Sequence, residues 1–235
     1  MLRFFRQIRQ RLLTDNKFSK YLLYAVGEIA LVVIGILIAL QINTWNDNRL
    51  QEKEAKTFYQ NIIQQLLEDR QNIEGQIAYN NKNKAQFHYA IALIGANNRS
   101  GRDSLCLIAE KLVDYSDFDR KGNIYETIVN SGDVKLLKNE ELKKRLRRLE
   151  ESYLYINRME TIHYDAIMQM IPEISSTVNI SSKEIIDEDR LYDPRFQNQF
   201  ALALRVINEK EQVYLRALDE IHDLVSMIGE ELEHY

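Results

Sequence analysis

"YLLYAVGEIALVVIGILIALQIN" spans Tyr21–Asn43. It is almost continuous hydrocarbon interrupted by one carboxylate, Glu28. At a rise of about 1.5 Å per residue, Tyr21–Leu40 reaches roughly 30 Å, the hydrocarbon thickness of a bilayer. From Ile29 to Leu40 no polar stripe interrupts the run, as the outward face of a soluble core helix would require. The run is too long for the apolar part of a cleaved signal, and no small-x-small cleavage site follows it. The stretch therefore predicts an uncleaved transmembrane helix over residues 21–43. Tyr21 and Tyr24 at one end and Trp45 at the other suit the interfacial aromatic belts.

The flanks predict orientation. Arg3, Arg6, Arg9, Arg11, Lys17 and Lys20 precede the span, and only Arg49, Lys53 and Lys56 follow it within residues 43–62. The positive-inside rule places the N-terminus in the cytoplasm of a bacterial inner membrane and the rest in the periplasm. In the head, residues 1–20, Leu2, Phe5, Ile8 and Leu12 recur at helical spacing between arginines. That spacing predicts an amphipathic helix lying on the bilayer surface.

The net charge of −4 is unevenly spread. Residues 43–235 hold 25 basic and 33 acidic residues, a net of −8. An acidic body argues against nucleic-acid binding, whereas the basic head suits anionic lipid.

On a helical wheel Glu28, Gly35 and Ala39 share one stripe, which Asn46 continues. Gly35-x-x-x-Ala39 is a small-x-x-x-small pair that lets helices approach closely. The stripe predicts a seam with another copy or with an envelope protein. Three roles stay open for Glu28. It is a sheltered acid in that seam, a headgroup-level partner of Lys17 or Lys20, or a carrier of protons or ions.

With only 2 Pro and 8 Gly, the chain has few breakers of regular structure. The expected fold is all-α: the transmembrane helix continues into a long helix and packs in an up-and-down bundle formed by residues 44–235. The first long helix should reach about Asn97. It carries two registers of period seven, Leu66–Ile73–Asn80–Phe87–Ile94 and Ile63–Arg70–Ile77–Lys84–Ile91, with Asn80 and Lys84 as register-fixing interruptions. Asp103 reads as the cap of a short helix over 103–115, and 117–123 as a loop. A break is expected at Ser131-Gly132. Asn139 then caps a helix bearing Leu142, Leu146, Leu149, Tyr153, Ile156, His163, Ile167 and Met170, which Pro172 should end. Residues 173–194 read as irregular. A last helix starts at Asp193-Pro194 and carries Phe200, Ile207, Tyr214, Ile221 and Ile228, with Leu204, Leu218, Val225 and Leu232 as a second register.

The opening "MLRFFRQIRQRLLTDNKFSKYLLYAVGEIALVVIGILIALQINTWN" resembles a family of uncharacterised bacterial membrane proteins found mainly in Bacteroidota. The segment "YETIVNSGDVKLLKNEELKKRL" is similar to that family's second recurring pattern. The resemblance implies an inner-membrane anchor and a helical periplasmic body. It implies no activity, since the family is known as a domain of unknown function.

No HExxH, CxxC, P-loop, GxGxxG or GxSxG is present. No enzyme, metal or cofactor is expected. His88, His163 and His222 lie on different helices, and His163 alone occupies a core register. Cys106 reads as a core residue and "KKRLRR" (143–148) as a solvated face. The expected function is a membrane-anchored structural or interaction protein that self-associates. The alternatives are a sensor signalling through a partner and an oligomeric pore or proton-coupled element using Glu28.

Overall fold

The computed structural model describes residues 18–118 and 124–233. The basic head from Arg3 to Lys17, most of the expected 117–123 loop and His234 lie outside the described residues, as do the side chains of Lys20, Tyr21 and Tyr24. The fold is all-α. Helix α1 runs Phe18–Gly95, followed by a 3-10 turn at Arg99–Gly101, α2 at Arg102–Ala109 and a second 3-10 turn at Glu110–Val113. Then come α3 (Ile124–Ser131), a 3-10 turn at Asp133–Leu136 and α4 (Glu140–Thr177). Strands β1 (Val178–Asn179) and β2 (Glu184–Ile185), α5 (Glu188–Leu191) and α6 (Pro194–Leu232) complete the chain. Two units divide within α1, after Ala55.

In the first unit the stretch Ile29–Leu40 of α1 is apolar on all sides. An 18-residue window has a mean hydropathy of 2.5 with none of it buried, so the helix is long and apolar enough to cross a membrane.

The second unit is a four-legged bundle. Two apolar clusters lie end to end. The lower one joins Tyr59, Leu66 and Ile73 of α1 to Leu146 and Tyr153 of α4 and to Tyr214 and Ile221 of α6. The upper one joins Phe87 and Ile94 to Met170, Ile174, Phe200 and Ile207. Legs α1 and α4 thus run from lower to upper cluster, and α6 runs back. The second leg also descends, but in pieces. Leu105 and Leu112 sit in the upper cluster, and Phe118, Ile128 and Leu137 in the lower.

The ends of these legs follow the sequence closely. Asn97, with φ of 46°, closes α1, and the Asn98 amide donates to the Leu93 carbonyl at 2.9 Å, a left-handed helix stop. Gly132, with φ of 77°, makes the break after α3. Asn139 caps α4, its side chain accepting from the Glu141 and Leu142 amides, and Asp193 caps α6 ahead of Pro194.

Three expectations are corrected. Pro172 does not end α4, which continues to Thr177. A proline there removes one backbone bond, but Ile174 and Val178 are buried in the upper cluster and hold the last turn. Residues 173–194 are not irregular. They hold the end of α4, the antiparallel β1–β2 pair with Val178 opposite Ile185, and α5. Asp103 is not a cap. It lies in the first turn of α2, whose cap position is Gly101.

Candidate functional site

Between the two clusters the bundle changes character. All three long legs carry polar residues at core positions on one level: Asn80 and Asn83 from α1, Glu160 and His163 from α4, Lys210 from α6. Lys210 is 0% exposed, and Glu160 and His163 are each 5%. Moving such groups out of water is costly unless hydrogen bonds and counter-charges replace it.

The second leg explains why they are there. At this level it is not helical. Asp114 is extended (φ −69°, ψ 125°), and residues 114–118 cross the layer with no helix or strand to satisfy their backbone. Buried backbone groups need partners, and side chains supply them. Lys210 Nζ donates to the Ser116 carbonyl at 2.6 Å and contacts Ser116 Oγ at 3.0 Å. The Phe118 amide donates to Glu160 Oε1 at 2.6 Å. That same oxygen accepts from the Tyr214 hydroxyl at 2.6 Å. Ser116 Oγ donates to Asn80 Oδ1 at 3.0 Å, and His163 Nδ1 lies 3.2 Å from Lys210 Nζ. On the rim, the Tyr79 hydroxyl donates to Asp114 at 3.0 Å, and Tyr115 packs against His163 and Tyr164 with ring centroids 5.8 and 5.7 Å away. A further buried pair lies below, the Tyr153 hydroxyl donating to Asp69 at 2.8 Å. Lys84 and Glu211 form an ion pair on the flank.

The electrostatics follow from burial. Desolvation brings the Lys210 ammonium down to about 8, against the opposing pull of Glu160 and Asp117. Desolvation first, then the Lys210 cation, brings His163 down to about 4. Burial raises the Glu160 carboxyl, while Tyr214, Phe118 and Lys210 hold it down. Burial and the Glu160 charge push Tyr115 up to about 12 and raise Tyr214 as well. At neutral pH the ring of His163 is therefore uncharged, and its Nδ1 accepts from Lys210. One donor of the layer goes unused: Asn80 Nδ2 is buried and has no partner among the described residues.

The expected site residues fall elsewhere. Glu28, Gly35, Ala39 and Asn46 share a stripe of α1, with Glu28 and Asn46 half-buried and Gly35 and Ala39 exposed. Trp45 is exposed, with the Arg49 guanidinium stacked 5.6 Å above its ring. His88 and His222 are exposed on separate helices, and His163 is the buried core histidine expected. Among the described residues no three His, Cys, Asp or Glu side chains gather as metal ligands. Cys106 is buried, its thiol donating to the Lys183 carbonyl at 3.6 Å. The 143–148 run is largely tied down: Lys143 pairs with Glu140, Lys144 with Glu141, and Arg145 with Glu220 and Asp223 of α6.

A family model matches residues 28–204, more than half of the chain. The chain belongs to DUF6090, a family of unknown function. No curated protein and no solved structure matches it. The DUF6090 match opens at Glu28 inside the apolar stretch and closes in α6 before Lys210. It takes in Asn80, Ser116, Glu160 and His163.

Glu160 and Lys210 escape a hydrophobicity reading because each looks like a surface residue. Their signal is spacing. Glu160 falls seven residues after Tyr153 and seven before Ile167, both buried, and Lys210 falls seven after Ala203 and seven before Ala217.

Proposed function

We propose that this DUF6090 member is a membrane-anchored helical interaction protein of the bacterial envelope. Residues 21–43 cross the inner membrane, the basic head stays in the cytoplasm, and residues 44–235 form a periplasmic bundle. The uncovered apolar length of α1, with mean hydropathy of 2.5 and nothing packed over it, carries the reading. The lopsided flanking cations set its direction. The stripe of Glu28, Gly35 and Ala39 supports self-association, because small residues admit a second helix at close range and a seam shelters the carboxylate. A bundle without a catalytic motif suits presentation to a partner better than turnover.

Fusions of alkaline phosphatase, active only in the periplasm, and of a fluorescent protein, active only in the cytoplasm, test the orientation at Tyr235. Phosphatase activity with a dark fluorescent fusion is expected. The reverse pattern, or a chain that stays in solution after membranes are pelleted, overturns the reading. Native mass in detergent tests the seam: oligomers that Gly35→Leu converts to monomers are expected, and a wild type that is monomeric at every concentration removes it.

A further inference from the structure

We infer that the polar layer is an acid-opened latch, in which protonation of His163 drives Lys210 off Ser116 and frees residues 114–117 from the bundle, while the Phe118 ring stays seated in the lower cluster. The geometry makes the two cations mutually exclusive. Lys210 Nζ sits 3.2 Å from His163 Nδ1, a contact that requires a lone pair on that nitrogen. A protonated ring presents an N–H and a positive charge to an ammonium at that distance. The carboxylates that face the pair, Glu160 and Asp117, already support the Lys210 cation, so a second cation would have to share them. The groups facing the pair are Glu160 from α4, Tyr115 and Asp117 from the segment, and Tyr214 from α6. From α1 come Asn80 and Asn83, both uncharged, and Lys84, which is matched by Glu211. Glu160 is already engaged by the Phe118 amide and the Tyr214 hydroxyl.

The segment is the part that yields. It has no secondary structure of its own at this level, and both its central anchors, Lys210 on Ser116 and Glu160 on Phe118, belong to the layer. Tyr115 covers His163 from an exposed position, so its ring swings outward without breaching either apolar cluster. The closed layer is also incompletely satisfied, since Asn80 Nδ2 lacks an acceptor among the described residues, and an incompletely bonded polar layer is easier to open than a dry core. The device does not depend on which side of the membrane the bundle occupies.

The Phe118 amide is the reporter, because its hydrogen bond to Glu160 breaks when the segment leaves. Hydrogen exchange is followed on the full chain in detergent micelles from pH 7.5 to 5.0, with the intrinsic chemical rate divided out. A ring that ionises at about 4 closed and near 6.5 open gives a rise in opening of roughly thirtyfold across that range. Amides at 221–228 in the lower cluster should hold their protection, and the rise should vanish in His163→Gln. A flat wild type overturns the latch. An equal rise in His163→Gln does so too, because another group is then responsible. Loss of protection at 221–228 together with Phe118 means that the bundle unfolds as a whole, which also sinks it. Should His163→Gln lack native protection at pH 7.5, the wild type alone decides. Its opening free energy must change with a slope of one proton between pH 6 and 4.5, and a slope of zero refutes the proposal.

Discussion

Ile34 and Ile73 belong to one unbroken helix, yet the first is 50% exposed and the second 0%. Composition does not separate them. What separates them is pattern. Around Ile34 every side of the helix is apolar, so no face is reserved for water, and the medium that suits such a surface is lipid. Around Ile73 apolar residues return every seven, polar ones fill the rest, and one stripe is buried against α4 and α6. The same amino acid is thus uncovered on one part of the helix and core on another, and its neighbours decide which.

The largest effect should come where the bundle half departs furthest from a greasy helix. Glu160→Ala removes the acceptor of the Phe118 amide and the Tyr214 hydroxyl and takes away the negative charge nearest Lys210. Breaking a buried charge set by deleting one member costs about 3–5 kcal/mol. Urea unfolding of the micelle-held chain should show a loss of that size. A loss under about 1 kcal/mol, the range of a surface pair, would mean the layer is solvated.

Next comes the comparison itself. Ile73→Ala should cost the bundle about 2–5 kcal/mol, the range for truncating a packed aliphatic core residue. Ile34→Ala should leave the bundle's urea midpoint where it was. Equal midpoint shifts for both would erase the distinction between the two halves.

Acid should reach the bundle half through His163. His163 ionises at about 4 in the folded bundle and near 6.5 when unfolded, because burial and Lys210 oppose its charge. The unfolded state then binds more protons between these values, so stability falls as pH drops from 6.5 to about 4 and levels off below. The shift corresponds to about 3 kcal/mol. Glu160, whose carboxyl burial raises, pulls the opposite way. The difference between wild type and His163→Gln isolates the histidine: the gap in stability should narrow as pH falls. A constant gap would place His163 outside the buried layer.

The legible parts of this molecule are those where one period suffices. Leu66, Ile73, Phe87 and Ile94 on α1, and Phe200, Ile207, Tyr214, Ile221 and Ile228 on α6, are all buried as their spacing predicts. The second register packs against the core on both helices, but mostly at its edge. Ile63, Ile77 and Ile91 are only partly buried, and at four of the five series positions the residue before, at 62, 69, 83 and 90, is the buried one. On α6 Leu204 is buried as expected, while Leu218, Val225 and Leu232 are only partly buried, and Ala217 and Leu224, one residue before Leu218 and Val225, are the fully buried ones. At Ala90 and Ala217 the buried position holds a small residue beside a bulkier aliphatic, and at Asp69, Asn83 and Lys210 it holds a polar residue beside a charged one. Hydropathy favours the larger apolar residue, while packing favours the position that a supercoiled seam turns inward. Hence the polar layer was invisible except at Asn80 and His163. Its cause, an unhelical stretch of the second leg, lies far away in sequence from the residues that answer it. Pro172 departs from its local rule for a related reason: a proline stops a helix by local rules, and tertiary burial of Ile174 overrules them.

The smallest effect tests how the bundle half begins its return. Asn139 does two things. Its side-chain oxygen accepts from the Glu141 and Leu142 amides, and its amide nitrogen donates to Glu231 near the end of α6 at 2.7 Å. The first is a helix cap, worth about 1 kcal/mol, and the second ties the start of α4 to the end of α6 at the lower rim. Asn139→Asp keeps the cap but sets a carboxylate against Glu231, whereas Asn139→Ala loses both contacts. If the cap dominates, Asp should be nearly as stable as Asn and Ala should cost about 1 kcal/mol by urea unfolding. If the tie to Glu231 dominates, Asp should be the worse variant at neutral pH and recover when acid neutralises the pair. Because Glu231 is half-exposed and water screens it, the cap should win.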